Sequence, residues 1–231
     1  MILAPSGFGK STSIGDVPEL NIKGLNPETT FIISVTSKPL PFRGSKTAYP
    51  IGKPTDKTCR RYCTNDGMRI AAAIKYVVEE RKDITDIVFD DSNYVMQDYY
   101  MANASRKGYD VFKEIGEFMD AIFVSMELTD DVNFIMMAHY EEFKDSSHDT
   151  ISYRYKTAGK MVNDYITPEG KFDIVLYGKS SFDDQTKTAS KQFVTNYDGQ
   201  FPAKSPAGMF ADTYIANDLA VVKSCVAEYY S

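Results

Sequence analysis

The chain has 231 residues, 43% apolar and 25% charged, which is the length of one α/β domain and the composition of a soluble chain with a full core. A net charge of −6 excludes a broadly cationic surface for coating nucleic acid and leaves only a local basic patch open. No apolar run approaches the length of a membrane span, the N-terminus lacks a charged-then-apolar signal, and three cysteines with no Cys-x-x-Cys pair fit reduced thiols in a cytoplasm.

The first element is Ile2-Leu3-Ala4, a short apolar strand running into Ala4-Pro5-Ser6-Gly7-Phe8-Gly9-Lys10-Ser11-Thr12. This is the pattern [G/A]-x-x-x-x-G-K-[S/T] of a phosphate-binding loop. Gly7 and Gly9 permit the tight turn that aims backbone N–H groups, those of Ser6 and Phe8 included, at phosphate oxygens. Lys10 is placed to reach the β- and γ-phosphates and Ser11 to help hold Mg²⁺, with Thr12 completing the ATP cradle. A helix starting at Gly9 or Lys10 would add its positive end to the same site, although Gly15, Pro18 and Gly24 keep it short. Met1 stands almost on the loop, so either the chain is naturally minimal or its start is placed late.

Thr29–Thr36 is a β-branched, nearly continuous apolar run, suited to a strand buried on both faces of a parallel sheet. Lys38-Pro39-Leu40-Pro41-Phe42-Arg43-Gly44 follows, and its prolines rule out regular structure. It lies beyond the carboxyl end of that strand, where Arg43 or Lys38 faces either a ligand or only solvent. Residues 45–66 interleave Lys46, Lys53, Lys57, Arg60 and Arg61 with Tyr49 and Tyr62. That pattern suits single-stranded DNA, cations for phosphates and rings for bases, or is a solvated polar face.

Asp66 caps a predicted helix to about Arg81, with Ile70, Ile74, Val77 and Val78 on one face. Ile84–Phe89 is a hydrophobic strand ending in Asp90-Asp91, the Walker B pattern. Asp90 would bind Mg²⁺, and Asp91 would orient or deprotonate the attacking water. Asp110 opens an amphipathic helix through Met126 whose stripe is core packing. Val132–Ala138 is the next buried strand, and His139 at its end is the candidate sensor of the γ-phosphate, with Glu141 second and a structural histidine as the alternative.

Alternating strands and helices predict a mainly parallel sheet flanked by helices. The last third adds an alternating Tyr153–Lys160 and strands at Phe172–Gly178 and Lys191–Asn196, read as partly antiparallel edge strands, and then a terminal apolar segment opened by Asn217-Asp218-Leu219, all within a single domain, 1–231.

These motifs together resemble bacteriophage RecA-like AAA-family ATPases, some of which are similar to single-strand-annealing recombinases. Besides the phosphate loop, Asp90-Asp91 and Ala138-His139, the resemblance rests on Pro39–Gly44 and on Thr195–Gly199 with Pro202-Ala203-Lys204-Ser205-Pro206-Ala207-Gly208-Met209-Phe210. It implies a RecA-like core, Mg-dependent cleavage of the ATP β–γ phosphoanhydride, and a part in phage DNA recombination or replication in the cytoplasm of an infected host cell. It also implies a homo-oligomer, phage replication or recombination proteins as partners, and Lys204 as a lysine near the γ-phosphate in its own or a neighbouring subunit. Among alternatives, a packaging motor lacks room for its nuclease, a small-molecule kinase lacks an Arg-rich lid, and a nucleotide switch working with a protein partner stays open.

Overall fold

The computed structural model describes residues 1–128, 131–145, 150–185 and 187–231. Strand β1 (Ile2–Leu3) lies in the middle of the sheet, pairing in parallel with β5 (Asn133–Ala138) on one side and β8 (Leu176–Asp183) on the other. β2 (Thr30–Ser34), β3 (Arg61–Cys63) and β4 (Asp86–Asp90) extend it beyond β5, all parallel. β9 (Thr188–Val194) and β10 (Tyr214–Ala216) add antiparallel beyond β8. Among the described residues these eight strands form one sheet in the order β10-β9-β8-β1-β5-β4-β2-β3. The expected mainly parallel sheet with antiparallel additions at its edge is therefore present.

Alternation along the strands splits the core in two. Phe31, Ile33, Ile87 and Phe89 face the layer formed by α2 (Gly67–Glu80) and α4 (Asp110–Met126), with Ile74, Val77, Ile115 and Met119 packed against them. Ile32 and Val88, one residue out of phase, face the other side, with Phe8, Ile14, Met209, Phe210 and Leu219. Each such side chain contributes about 1.5–3 kcal/mol on leaving water, which is why strands buried on both faces read as unbroken apolar runs.

The predicted α2 and α4 are present, and Asp66 caps α2 by accepting from the N–H of Arg69 at 3.1 Å. The terminal segment is a helix, α6 (Leu219–Tyr229), capped by Asp218. Its Lys223 donates at 2.6 Å to Asp86, a fully buried carboxylate that also accepts from Asn133 and Thr85.

Several elements have no strong signal in the sequence. They are α1 (Ser45–Ala48), the three-residue β3, α3 (Asn93–Ala102), α5 (Lys160–Tyr165), and a separate hairpin of β6 (Tyr140–Asp145) and β7 (Thr150–Tyr155). The alternation read over Tyr153–Lys160 stops as a strand at Tyr155, the partner of Tyr140. The helix expected from Gly9 or Lys10 is a single 3₁₀ turn, Ser11–Ile14. Gly15 and the bond from the Gly15 N–H to the Thr12 carbonyl end it there, so it has little dipole to offer. Among the described residues no helix is long and apolar enough to cross a membrane.

Candidate functional site

β1, β5 and β4 end at one edge of the sheet, and the segments leaving their carboxyl ends converge there. The loop leaving β1 begins at Ala4, whose N–H donates to Ala138. Ala4 takes the place of the usual glycine without strain, because its φ is not in the left-handed region. Its side chain packs instead against Gly178 of β8, where an added Cβ would stand 2.5 Å from the Ala4 Cβ.

Gly7 and Gly9 have φ of +77° and +101°, conformations that glycine adopts at no steric cost. Ser6 and Gly7 are exposed at the tip, whereas Phe8 is buried against Phe193, ring centroids 5.8 Å apart. Phe8 therefore anchors the loop, and its N–H, expected to face a phosphate, donates instead to the Pro5 carbonyl at 3.3 Å. Among the described residues no acceptor meets the N–H groups of Gly7, Gly9, Lys10, Ser11 and Thr12. A loop with that many free donors at positive-φ glycines has the makings of an anion cradle.

Lys10 is buried, and its Nζ folds back over the loop to the carbonyls of Ala4 (2.9 Å) and Pro5 (3.4 Å) and to Nδ1 of His139 (3.2 Å). Burial depresses its pKa, opposed by the charges of Asp91 and Asp90. The Ser11 hydroxyl lies 2.9 and 3.0 Å from the two carboxylate oxygens of Asp90. Burial first, then the neighbouring Asp91, pushes the Asp90 carboxyl up to about 6. β4 thus carries two buried aspartates with different fates: Asp86 has Lys223 as a counter-ion at 2.6 Å, whereas Asp90 bonds the Ser11 hydroxyl and, among the described residues, forms no close ion pair, with Lys10 and Arg61 acting on it at longer range. A carboxylate kept without a paired cation at the mouth of a phosphate-loop motif suits a divalent ion.

Asp91 adopts φ +56°, a left-handed conformation that aspartate tolerates better than most residues. Its Oδ1 stands 3.8 Å from Nε2 of His139. His139 is fixed by its N–H bond to Asn93 Oδ1 at 3.1 Å, and its pKa is lowered by burial and then by Lys10. Lys10, Ser11, Asp90, Asp91 and His139, separate in sequence, therefore form one contiguous group.

Other candidates lie elsewhere. Lys204 forms an antiparallel bridge with Val175, beside Met1 and so at the amino end of β1, opposite to the loop. Glu141 is held by Arg154 at 2.9 Å within the hairpin. Lys38 and Arg43 are exposed. Of the basic segment, Lys46, Lys53 and Lys57 are exposed, but Tyr49 is buried beneath Phe42 and Arg61 is buried along β2.

Two residues at the loop carried no sequence signal. Lys191 of β9 donates to the Gly7 carbonyl at 2.7 Å, and Asn217 donates to the Gly9 carbonyl at 3.2 Å. Both come from the last third of the chain, where only strand pairing and the docking of α6 bring them to the loop.

The residues fit ATP with Mg²⁺: free N–H groups and Lys10 for phosphates, Ser11 and Asp90 for the ion. Among the described residues no three His, Cys, Asp or Glu side chains gather at one point, so phosphate oxygens and water would complete the ion's shell, as is usual for Mg²⁺. Compared with models of known protein families and with proteins of curated function, the chain matches none.

Proposed function

We propose that this chain is a RecA-like P-loop ATPase that hydrolyses the β–γ phosphoanhydride of Mg²⁺-bound ATP. The observation that carries the reading is the meeting of Ser11 and Asp90 at 2.9 Å next to the buried Lys10, a hydroxyl and an ammonium from the segment after β1 and a carboxylate from the end of β4. The strand order supports it, because β5 lies between β1 and β4 and delivers His139 between the loop and Asp91.

In this reading the N–H groups of Gly7, Gly9, Lys10, Ser11 and Thr12 and the Lys10 ammonium would bind the phosphates, and Ser11 and Asp90 would hold the ion. Held there, Mg²⁺ would supply neutralisation of the phosphate charge. Asp91 accepts a proton from, or orients, the attacking water, and neutral His139 holds Asp91 and Lys10 in register. Lys204 acts, if at all, from a neighbouring subunit, since it lies at the amino end of β1 in its own.

The resemblance extends the proposal to DNA recombination or replication on single-stranded DNA. A nucleotide switch with a protein partner is the second reading, favoured by the burial of Tyr49 and Arg61, which leaves the basic segment without those members. ATP turnover with and without single-stranded DNA, across a salt series, decides between them. Stimulation that fades with salt supports DNA, because phosphate contacts release counterions. Turnover indifferent to DNA supports the switch, and absence of nucleotide binding refutes both.

A further inference from the structure

Arg61 is only 4% exposed, yet no carboxylate among the described residues hydrogen-bonds or salt-bridges to it, the Asp90 charge acting on it only at longer range. Buried arginines ordinarily have such a partner, because an uncompensated charge away from water is costly. The side chain runs from the start of β3 toward the carboxyl edge of the sheet, donating from Nε to Ser34 Oγ at 3.0 Å and from Nη2 to the Thr36 carbonyl at 3.0 Å. These bonds fix the plane of the guanidinium, and no acceptor among the described residues meets Nη1.

Arg61 lines a cavity of about 220 Å³ at that edge. Lys46, exposed, stands on its rim, and Pro39, Leu40, Tyr49 and Ile51 supply apolar walls. The cavity thus joins two cations, one held rigidly, to a surface for a small apolar body. A planar fork with Nη1 and one N–H of Nη2 still open suits an oxyanion in two-point contact. Ser34, which holds Arg61, is the register partner of Asp90, so the cavity lies beside the nucleotide site without sharing its residues.

We propose that this cavity is a second ligand site, taking a small molecule that carries a phosphate or carboxylate on an apolar ring or chain. The oxyanion sits on Arg61 and Lys46, and the body lies against Leu40, Tyr49 and Ile51. The site stands whether or not the phosphate loop binds ATP.

Calorimetric titration of the full chain with phenyl phosphate, benzoate and phenol tests it. Saturable binding of phenyl phosphate or benzoate, but not of phenol, is expected, and the tighter of the two names the oxyanion. Arg61→Met should weaken binding by about tenfold or more, the worth of one charge-assisted hydrogen bond. Lys46→Glu alters only an exposed residue and should weaken binding in the same direction, which covers the case in which Arg61→Met does not fold. Binding should persist in Lys10→Ala, separating this site from the phosphate loop. No saturable binding of either anion, binding of phenol equal to theirs, binding unchanged by Lys46→Glu, or binding lost in Lys10→Ala would each overturn the proposal.

Discussion

Nζ of Lys10 lies 3.2 Å from Nδ1 of His139, and both nitrogens stand within hydrogen-bond distance of the Ala4 carbonyl, at 2.9 and 3.1 Å. A protonated imidazole beside an ammonium would be repelled, and both burial and Lys10 depress the His139 pKa below its ordinary 6.5. The neutral ring has two tautomers here: with Nδ1–H it donates to the Ala4 carbonyl, and with Nε2–H it accepts from Lys10 at Nδ1 and turns its proton toward Asp91. His139→Ala should leave ATP affinity within a few-fold and slow turnover by about a hundredfold, the scale of losing one group that acts on developing charge. Equal losses in kcat/KM and affinity, with kcat unchanged, would reduce His139 to a structural role.

Lys10→Met keeps the buried aliphatic stem and removes the charge. Nucleotide affinity should fall by about a hundredfold or more, from about 3 kcal/mol of lost charge-assisted bonds, while the thermal transition is kept. Titration with a fluorescent ATP analogue, alongside circular dichroism, reads both. Retained affinity would remove the phosphate-loop assignment.

Asp90 predicts a trade between stability and function. Its carboxyl is raised from 3.8 to about 6 in the fold, so between those pH values the folded chain holds a proton there that the unfolded chain has lost. Its contribution therefore favours the fold below pH 4 and is withdrawn as pH rises through about 6. Asp90→Asn should raise stability at pH 7.5 by on the order of 1–3 kcal/mol, change little at pH 4, and abolish Mg-dependent turnover. Denaturant melts at the two pH values measure it, and a variant less stable at pH 7.5 than the parent would contradict the account.

Lys191 and Lys204 are distinguished by position. Lys191→Ala removes a cation from the lip of the loop and should raise the KM for ATP by about two- to fivefold, as an exposed charge does. Lys204→Ala should leave nucleotide binding unchanged, because it lies at the amino end of β1. If Lys204 serves a neighbouring subunit, mixing Lys204→Ala with Lys10→Ala chains restores part of the turnover. No rescue at any ratio would end that role.

Gly178→Ala tests the seat of the loop. The new methyl would meet the Ala4 Cβ at 2.5 Å and the Phe8 ring at 2.8 Å. Overpacking of this kind costs about 1–3 kcal/mol, and here the displaced atoms are the root and anchor of the phosphate loop. A fall in both melting temperature and ATP affinity is expected. A drop in stability with affinity intact would show that the loop's seat and its ligand are uncoupled.

The sequence by itself determined the elements with strong local signals. The apolar runs of β2, β4 and β5 and the stripes of α2 and α4 are set by burial and periodicity, and Asp66 by capping chemistry. The loop Ala4–Thr12 and Asp90-Asp91 were legible because their residue types are dictated by the groups they would hold. Tertiary structure decided the rest. β3 is three residues long and forms only by adding to β2, and the phosphate-loop helix gave way to one 3₁₀ turn at Gly15. Lys191 and Asn217 reach the loop by strand pairing and the docking of α6, across sequence separations of 184 and 208 residues. The same forces drew Tyr49 and Arg61 inward from a segment that reads as polar, and set Lys204 at the far end of β1. Local chemistry names which groups are present. Only the packing of a sheet on two faces fixes which of them meet, because that packing depends on residues distant in the chain.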